Sequence, residues 1–296
     1  MNDKIFREKS AVIDVGSNSV RLMLLADGKV LYKTLETTRL GEAFSKNLQG
    51  AAQRRTAEAI AAFVARAKSE GAKKIYAFAT AAVREAENRN DFLSLVEKTS
   101  GLNIEVVSGE TEAALGMSGA LKNADGAVLD AGGASTELAV RTGGETAYKK
   151  SVPVGVVRLK DKCGVNVAKL RETCERAADE FADAAEQIKS VINNVTGIGG
   201  TATTLGAMKA GLKEYDGKAV TGVRITREET GGFADKLLSM PVEEIEKLPC
   251  MPKKRADVIG GGAAWLYAIM RRLNLPYIIV SDEDNLEGFA RSKNLL

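Results

Sequence analysis

Asp14 and Asp130 each close a short apolar run, and each is followed at the same spacing by a glycine, a serine and a leucine. The first set is Asp14, Gly16, Ser19 and Leu22 in "AVIDVGSNSVRLML"; the second is Asp130, Gly132, Ser135 and Leu138 in "AVLDAGGASTELAV". A third glycine turn, "GIGGTATTL", carries Gly200 and Thr201. Glycine lets a backbone turn tightly and approach a ligand. Small hydroxyl residues and rows of backbone N–H groups then face that ligand, and the helix start after Gly200 adds a further anion-attracting end. Phosphate is the natural occupant. An acid beside it makes sense if a divalent cation bridges carboxylate and phosphate. One glycine turn after a strand is usually only a turn; three, two of them sharing acid, glycine and serine spacing, point to phosphate. The GxxxxGK[ST] loop is absent, and "GIGGTA" is not the GxGxxG of dinucleotide folds.

The chain of 296 residues contains no histidine. That absence removes Ser-His-Asp and Cys-His triads, histidine metal sites and imidazole bases. Any metal must be held by oxygen, which favours Mg²⁺, Mn²⁺ or Ca²⁺, and any general base is a carboxylate or a lysine. Cys163, Cys174 and Cys250 are odd in number and form no CxxC pair, so they read as reduced structural thiols. A net charge of +3 is too small for a nucleic-acid binder. Hydrophobic content of 45% and charged content of 27% describe an ordinary globular protein. "MNDKIFREKS" has no apolar signal core and no apolar run is long enough to cross a bilayer, so a cytoplasmic location and no membrane partner are expected.

The elements that must hold these residues alternate between strand and helix. "SAVIDV" reads as a strand running into a hairpin that turns at Asp27-Gly28. Ile60, Phe63, Val64 and Ala67 have helical spacing within 52–70. A strand over 74–79, a helix over 89–99, a strand over 104–107 and a helix over 110–121 follow. The pattern restarts with strand "GAVLDA" and a hairpin turning at Gly143-Gly144. One long helix fits 167–190. "TGIGGTATTLGAM" runs from strand through turn into helix, "ADVIGGGAAWLYAIMRRL" is helical, and "YIIVSD" is the last strand. Strands alternating with helices argue α/β layers. The repeat argues two similarly built domains, 1–124 and 125–296, with the last helix able to pack back on the first.

Taken in order, "AVIDVGSNSVRL", "FATAAVREAENRNDF", "VVSGETEA", "VLDAGGASTEL", "SVPVGVVRL", "GIGGTATTL", "RADVIGGG" and "VSDEDNLEG" resemble the exopolyphosphatase and guanosine pentaphosphate phosphohydrolase (Ppx/GppA) family. That family lies within the superfamily of actin, sugar kinases and heat-shock ATPases. The resemblance covers residues 11 to 288. It implies two ribonuclease-H-like (actin-like) α/β domains with an interdomain cleft. It makes Glu112, the acid before Ala113 in "SGETEA", the catalytic base, and Arg84 in "ATAAVREA" a ligand of the terminal phosphate. Without the resemblance, Glu112 reads as a first-turn acid favoured by the helix dipole and Arg84 as an ordinary surface charge. Asp130 and Glu137 match the acids of a Mg²⁺ site (Mn²⁺ being the alternative), with Asp14 facing Asp130. Taken alone, Glu137 reads as an exposed strand residue sharing a face with Arg141. Position 21 in the first copy is arginine where the second has Glu137, so the repeated backbone does not itself demand an acid. Gly16, Ser17, Asn18 and Ser19 would cradle one phosphate; Gly132, Gly133, Ser135, Thr136, Gly200 and Thr201 would supply facing loops.

Two departures stand out. Ala134 occupies a site where the family has a third glycine, and alanine does not tolerate positive φ. Thr111 replaces one of two acids. "KKR" at 253–255 is a basic run suited to a polyanion, as, more weakly, are Lys149 and Lys150. The expected activity is exopolyphosphatase, releasing inorganic phosphate from the end of a polyphosphate chain. Guanosine pentaphosphate hydrolysis, small-molecule phosphorylation and non-catalytic sensing of polyphosphate or an alarmone remain alternatives. The resemblance also suggests a homodimer.

Overall fold

The computed structural model describes residues 8–252 and 254–296. Contacts divide them into two compact units: one runs to Ser108 and includes Phe289–Leu296, and the other is Gly109–Gly288. No helix among the described residues is long and apolar enough to cross a membrane.

The first unit contains β1 (Lys9–Val15), β2 (Ser19–Ala26), β3 (Lys29–Thr37), α1 (Gly50–Ser69), β4 (Ala72–Ala79), α2 (Ala81–Arg84), α3 (Arg89–Ser100) and β5 (Glu105–Val106). Its sheet has the order β3-β2-β1-β4-β5. The first three strands are antiparallel, and β4 and β5 run parallel to β1. This is the ribonuclease-H-like order. Asp27 and Gly28 both take positive φ, 50° and 69°, as a two-residue hairpin turn requires. Ala57, Ile60, Val64 and Ala67 turn one face of α1 into the core beside Ile13, Leu22 and Phe92. At the far end of the chain Phe289 stacks on Phe78 with ring centroids 4.5 Å apart.

The second unit begins with α4 (Gly109–Leu121), β6 (Gly126–Ala131), β7 (Thr136–Thr142) and β8 (Glu145–Val152). Next come α5 (Val156–Cys163), α6 (Val167–Ala178), α7 (Ala185–Lys189), β9 (Val195–Ile198), α8 (Gly199–Lys209), α9 (Gly217–Val220) and β10 (Arg224–Thr226). The remainder is α10 (Arg227–Ser239), α11 (Val242–Ile245), α12 (Ala256–Arg272), β11 (Tyr277–Val280) and α13 (Asn285–Ser292), the last running on into the Phe289–Leu296 stretch. The sheet order is β10-β11-β9-β6-β7-β8. Read from β8, it repeats the first unit's plan and adds one antiparallel edge strand. Gly143 and Gly144 (φ 63° and 79°) close the β7–β8 hairpin as expected.

Two expectations change, and elements that the spacing did not mark are added. The boundary falls before α4, at Ser108/Gly109, and not near residue 125. The reason is packing: Ala113, Met117 and Leu121 of α4 cover Val128, Ala139 and Ile198 of the second sheet. The helix expected over 167–190 is broken by a tighter 3₁₀ segment, Asp179–Ala184. That segment carries the fully buried Phe181 to Trp265 of α12, 6.4 Å between rings. The three-residue strand β10 is an addition, too short for its alternation to register in the sequence.

Candidate active site

In the first unit, β1 delivers Asp14 and a tight turn follows. Gly16 N–H donates to Ser19 O at 3.0 Å, and a Cβ on Gly16 would sit 3.1 Å from that oxygen. The segment after β3 braces this turn. Thr38 and Arg39 donate to Asn18 O at 3.1 and 2.8 Å, and Gly41 donates to Ser17 O at 2.8 Å. Because a trans peptide sets N–H opposite C=O, the brace turns the N–H groups of Asn18 and Ser19 the other way. The first loop thus has the backbone of an anion cradle. Arg84, half-buried at the end of α2, donates to Val107 O at 3.1 Å.

Asp14 is paired within its own sheet. It is 4% exposed, and Arg21, its cross-strand partner, donates to Oδ2 through Nε at 2.9 Å and Nη2 at 2.5 Å. A guanidinium therefore already neutralises this carboxylate through Oδ2, and neither of these bonds occupies Oδ1.

In the second unit the equivalent cross-strand pair is Asp130 and Glu137, 8% and 3% exposed. Glu137 is not on a solvated face. That face of β7 is covered by α4, whose first turn adds a third buried acid, Glu112, 6% exposed. Its neighbours in "SGETEA" differ: Thr111 is exposed, and Glu110 pairs outward with Lys149 at 3.3 Å. Glu137 accepts from Ser151 Oγ at 2.6 Å and from the Ser135 hydroxyl. Both bonds favour its charged form. Burial first, then the charges of Glu112 and Asp130, overcome them and push its carboxyl well above the usual carboxylate range. Asp130 accepts from Asn285 Nδ2 at 3.1 Å. A Cβ on Gly199 would meet Asp130 Oδ1 at 2.3 Å, and Gly199 has φ +72°, so only glycine fits at this start of α8.

The loop Gly132–Ser135 is braced as the first one is. Val156 and Val157 donate to Gly132 O and Gly133 O at 3.0 and 2.8 Å. Gly155, which the spacing of "SVPVGVVRL" does not single out, lies so close that a Cβ there would meet Gly133 O at 2.4 Å. Ala134 is buried and outside the left-handed region, so replacing the third glycine costs no backbone strain. Thr136 is a correction. Its hydroxyl is wholly buried, donates to Val154 O at 2.6 Å and accepts from Trp265 Nε1 at 2.7 Å, which leaves a core anchor and not a phosphate ligand. Thr201 Oγ1 donates to Ala131 O at 3.0 Å, which ties the third loop to β6. Of the basic run, Lys253 lies outside the described residues and Lys254 is exposed. Arg255 Nη1 donates to Gly200 O at 2.5 Å and Thr204 Oγ1 at 3.2 Å, placing a cation against the third loop. Lys150 is spent on Asp183 at 3.4 Å.

Among the described residues no three acidic or sulfur side chains converge as a protein-only metal cage. Mg²⁺ does not need one: it binds through one or two carboxylates and keeps water and phosphate oxygens for the rest. Asp130 and Glu137 fit that donor set, being buried oxygen ligands whose mutual repulsion a divalent cation would relieve.

A ribonuclease-H-like sheet in each unit, a braced glycine loop after the first strand of each sheet, and three buried carboxylates beside the second loop are features of an α/β phosphate-handling enzyme. The model of the Ppx/GppA phosphatase family matches residues 18–295, and the chain belongs to that family. It is 29% identical to exopolyphosphatase 2 of Mycobacterium tuberculosis, over 95% of this chain and 97% of the relative. It is 30% identical to the bifunctional 3-dehydroquinate synthase/phosphatase of Fusobacterium nucleatum over 94% of this chain, which spans only 45% of that longer enzyme. A crystal structure of an exopolyphosphatase-like protein superposes with a TM-score of 0.86 at 27% identity, covering 97% of this chain and 100% of the other.

Proposed function

We propose that the protein is an exopolyphosphatase. It removes the terminal phosphoryl group of a polyphosphate chain by hydrolysis. Glu112 accepts a proton from the attacking water as the oxygen bonds to the terminal phosphorus, and the bridging P–O bond breaks toward the shortened chain. Backbone N–H groups and hydroxyls of the glycine loops, with Arg84, hold phosphoryl oxygens, where the planar guanidinium suits them. Asp130 and Glu137 would hold Mg²⁺, which supplies charge neutralisation to the phosphate when bound. The observation that carries this reading is a buried first-turn glutamate facing a buried acid pair beside a glycine loop. Helix capping explains none of that burial. A homodimer, on family resemblance, and a cytoplasmic location are proposed with it.

Glu112→Gln tests the reading. Phosphate release from polyphosphate with Mg²⁺ is expected to fall about 100- to 10,000-fold, the usual share of a general base. Equal release from both proteins removes Glu112 from the chemistry. Guanosine pentaphosphate supplied in competition measures which anhydride the enzyme prefers.

A further inference from the structure

Asn285 belongs to no phosphate loop, yet it is 4% exposed and its Nδ2 donates to Asp130 Oδ2 at 3.1 Å. Its other end, Oδ1, is buried with no hydrogen-bond partner in the protein. The amide therefore turns its donor to the Asp130 carboxylate and leaves its acceptor over. A residue kept only for packing would not leave a buried acceptor unserved, since a leucine fills similar space without that cost. The amide serves the carboxylate at the expense of its own carbonyl.

The segment holding Asn285 is built to keep it still. Asp284 N–H donates to Glu287 Oε2 at 2.8 Å, and Leu286 N–H to Asp284 Oδ1 at 3.0 Å. The same segment is pressed onto α4 through glycines. A Cβ on Gly119 would fall 1.9 Å from Asp284 O, one on Gly288 1.9 Å from Leu115 O, and one on Gly116 2.9 Å from Asn285 Oδ1. Gly116 is one turn beyond Glu112 on the same face of α4. Asn285 is therefore wedged between the helix that carries Glu112 and the carboxylate of Asp130.

We propose that Asn285 is a positioning residue that fixes the Asp130 carboxylate for its divalent cation. This deepens the exopolyphosphatase reading and rests on it for the kinetic part of its test. Two variants and two measurements decide it: calorimetric titration of Mg²⁺ into substrate-free protein, and steady-state hydrolysis of polyphosphate. Asn285→Leu is expected to weaken Mg²⁺ binding and lower kcat by about 10- to 100-fold, the usual effect of losing a group that orients a metal ligand. KM for polyphosphate should stay within about 2-fold, because no substrate contact is lost. Gly116→Ala pushes on Oδ1, and equally on the Ile198 side chain at 2.9 Å, without touching either acid. It should lower Mg²⁺ affinity and kcat in the same direction by less, while alanine's helix preference supports folding. If Asn285→Leu does not fold, Gly116→Ala decides alone. A folded Asn285→Leu with wild-type Mg²⁺ affinity and kcat overturns the proposal, as does a variant that loses only thermal stability. If the wild-type protein cleaves neither polyphosphate nor guanosine pentaphosphate, the functional reading falls, and the Mg²⁺ titrations still judge Asn285.

Discussion

The two hairpins share one backbone and opposite electrostatics. In the first, register sets Asp14 opposite Arg21, and the sheet itself supplies a cation to Oδ2 of the acid. In the second, the same register sets Asp130 opposite Glu137, and α4 brings Glu112 to the same side. A buried carboxylate next to another costs stability unless something positive joins it. The first hairpin shows that this fold can supply the positive partner from within. The second hairpin sets a glutamate where the first sets that arginine, a difference that belongs to the site and not to the architecture. Both loops are otherwise braced alike, each by backbone N–H groups arriving just after the hairpin and each with a close-packed glycine, Gly41 or Gly155.

The contrast can be broken from either side. Arg21→Glu gives the first hairpin the acid pair without its surroundings. It should destabilise that unit by about 3 kcal/mol, near the low end for breaking a buried ion pair because Arg21 is partly exposed. Denaturant unfolding measures this, and a loss no greater than the roughly 1 kcal/mol of a surface pair would make the two hairpins electrostatically equivalent. Glu137→Gln works from the other side. Phosphate release should fall about 100-fold, as when one charge-stabilising group is removed, while resistance to unfolding in metal-free buffer rises as repulsion is relieved. Unchanged release would leave Glu137 a structural residue.

The smallest expected effect is a pH slope. Above the ordinary glutamate value of 4.5 the unfolded chain gives up the Glu137 proton, whereas the folded protein keeps it to higher pH. The native state then binds more protons than the unfolded one, so stability falls as pH rises through that window. One such proton gives at most about 1.4 kcal/mol per pH unit. In metal-free buffer the slope should flatten in Glu137→Gln; an unaltered slope would mean that Glu137 titrates normally.

Much of this contrast is legible in the sequence, since Asp14/Arg21 and Asp130/Glu137 have equal spacing across glycine loops of equal length, 16–19 and 132–135. What spacing does not reveal is the cover. Period-2 alternation makes Glu137 look solvated, and only the packing of α4 shows otherwise. That helix is apolar nearly all round in "AALGMSGAL", a sign of burial on more than one side. Asn285 lies 155 residues from Asp130, and no local rule joins an amide to a carboxylate at that distance. The Thr226–Glu229 capping box that starts α10 had a readable signature, threonine followed three residues later by glutamate. The hydroxyls of Thr136 and Thr201 looked like ligands because composition cannot tell a hydroxyl facing a ligand from one spent on a neighbouring carbonyl.

The glycines that seat α4 against residues 284–288 have a consequence for how such an enzyme can diversify. Contacts of main chain on main chain have no rotamers, so the depth of Glu112 cannot be adjusted by swapping one side chain for a slightly larger or smaller one. New substrate preferences would have to arise where the framework is permissive, in the tips and flanks of the loops, with the carboxylates left as a fixed datum.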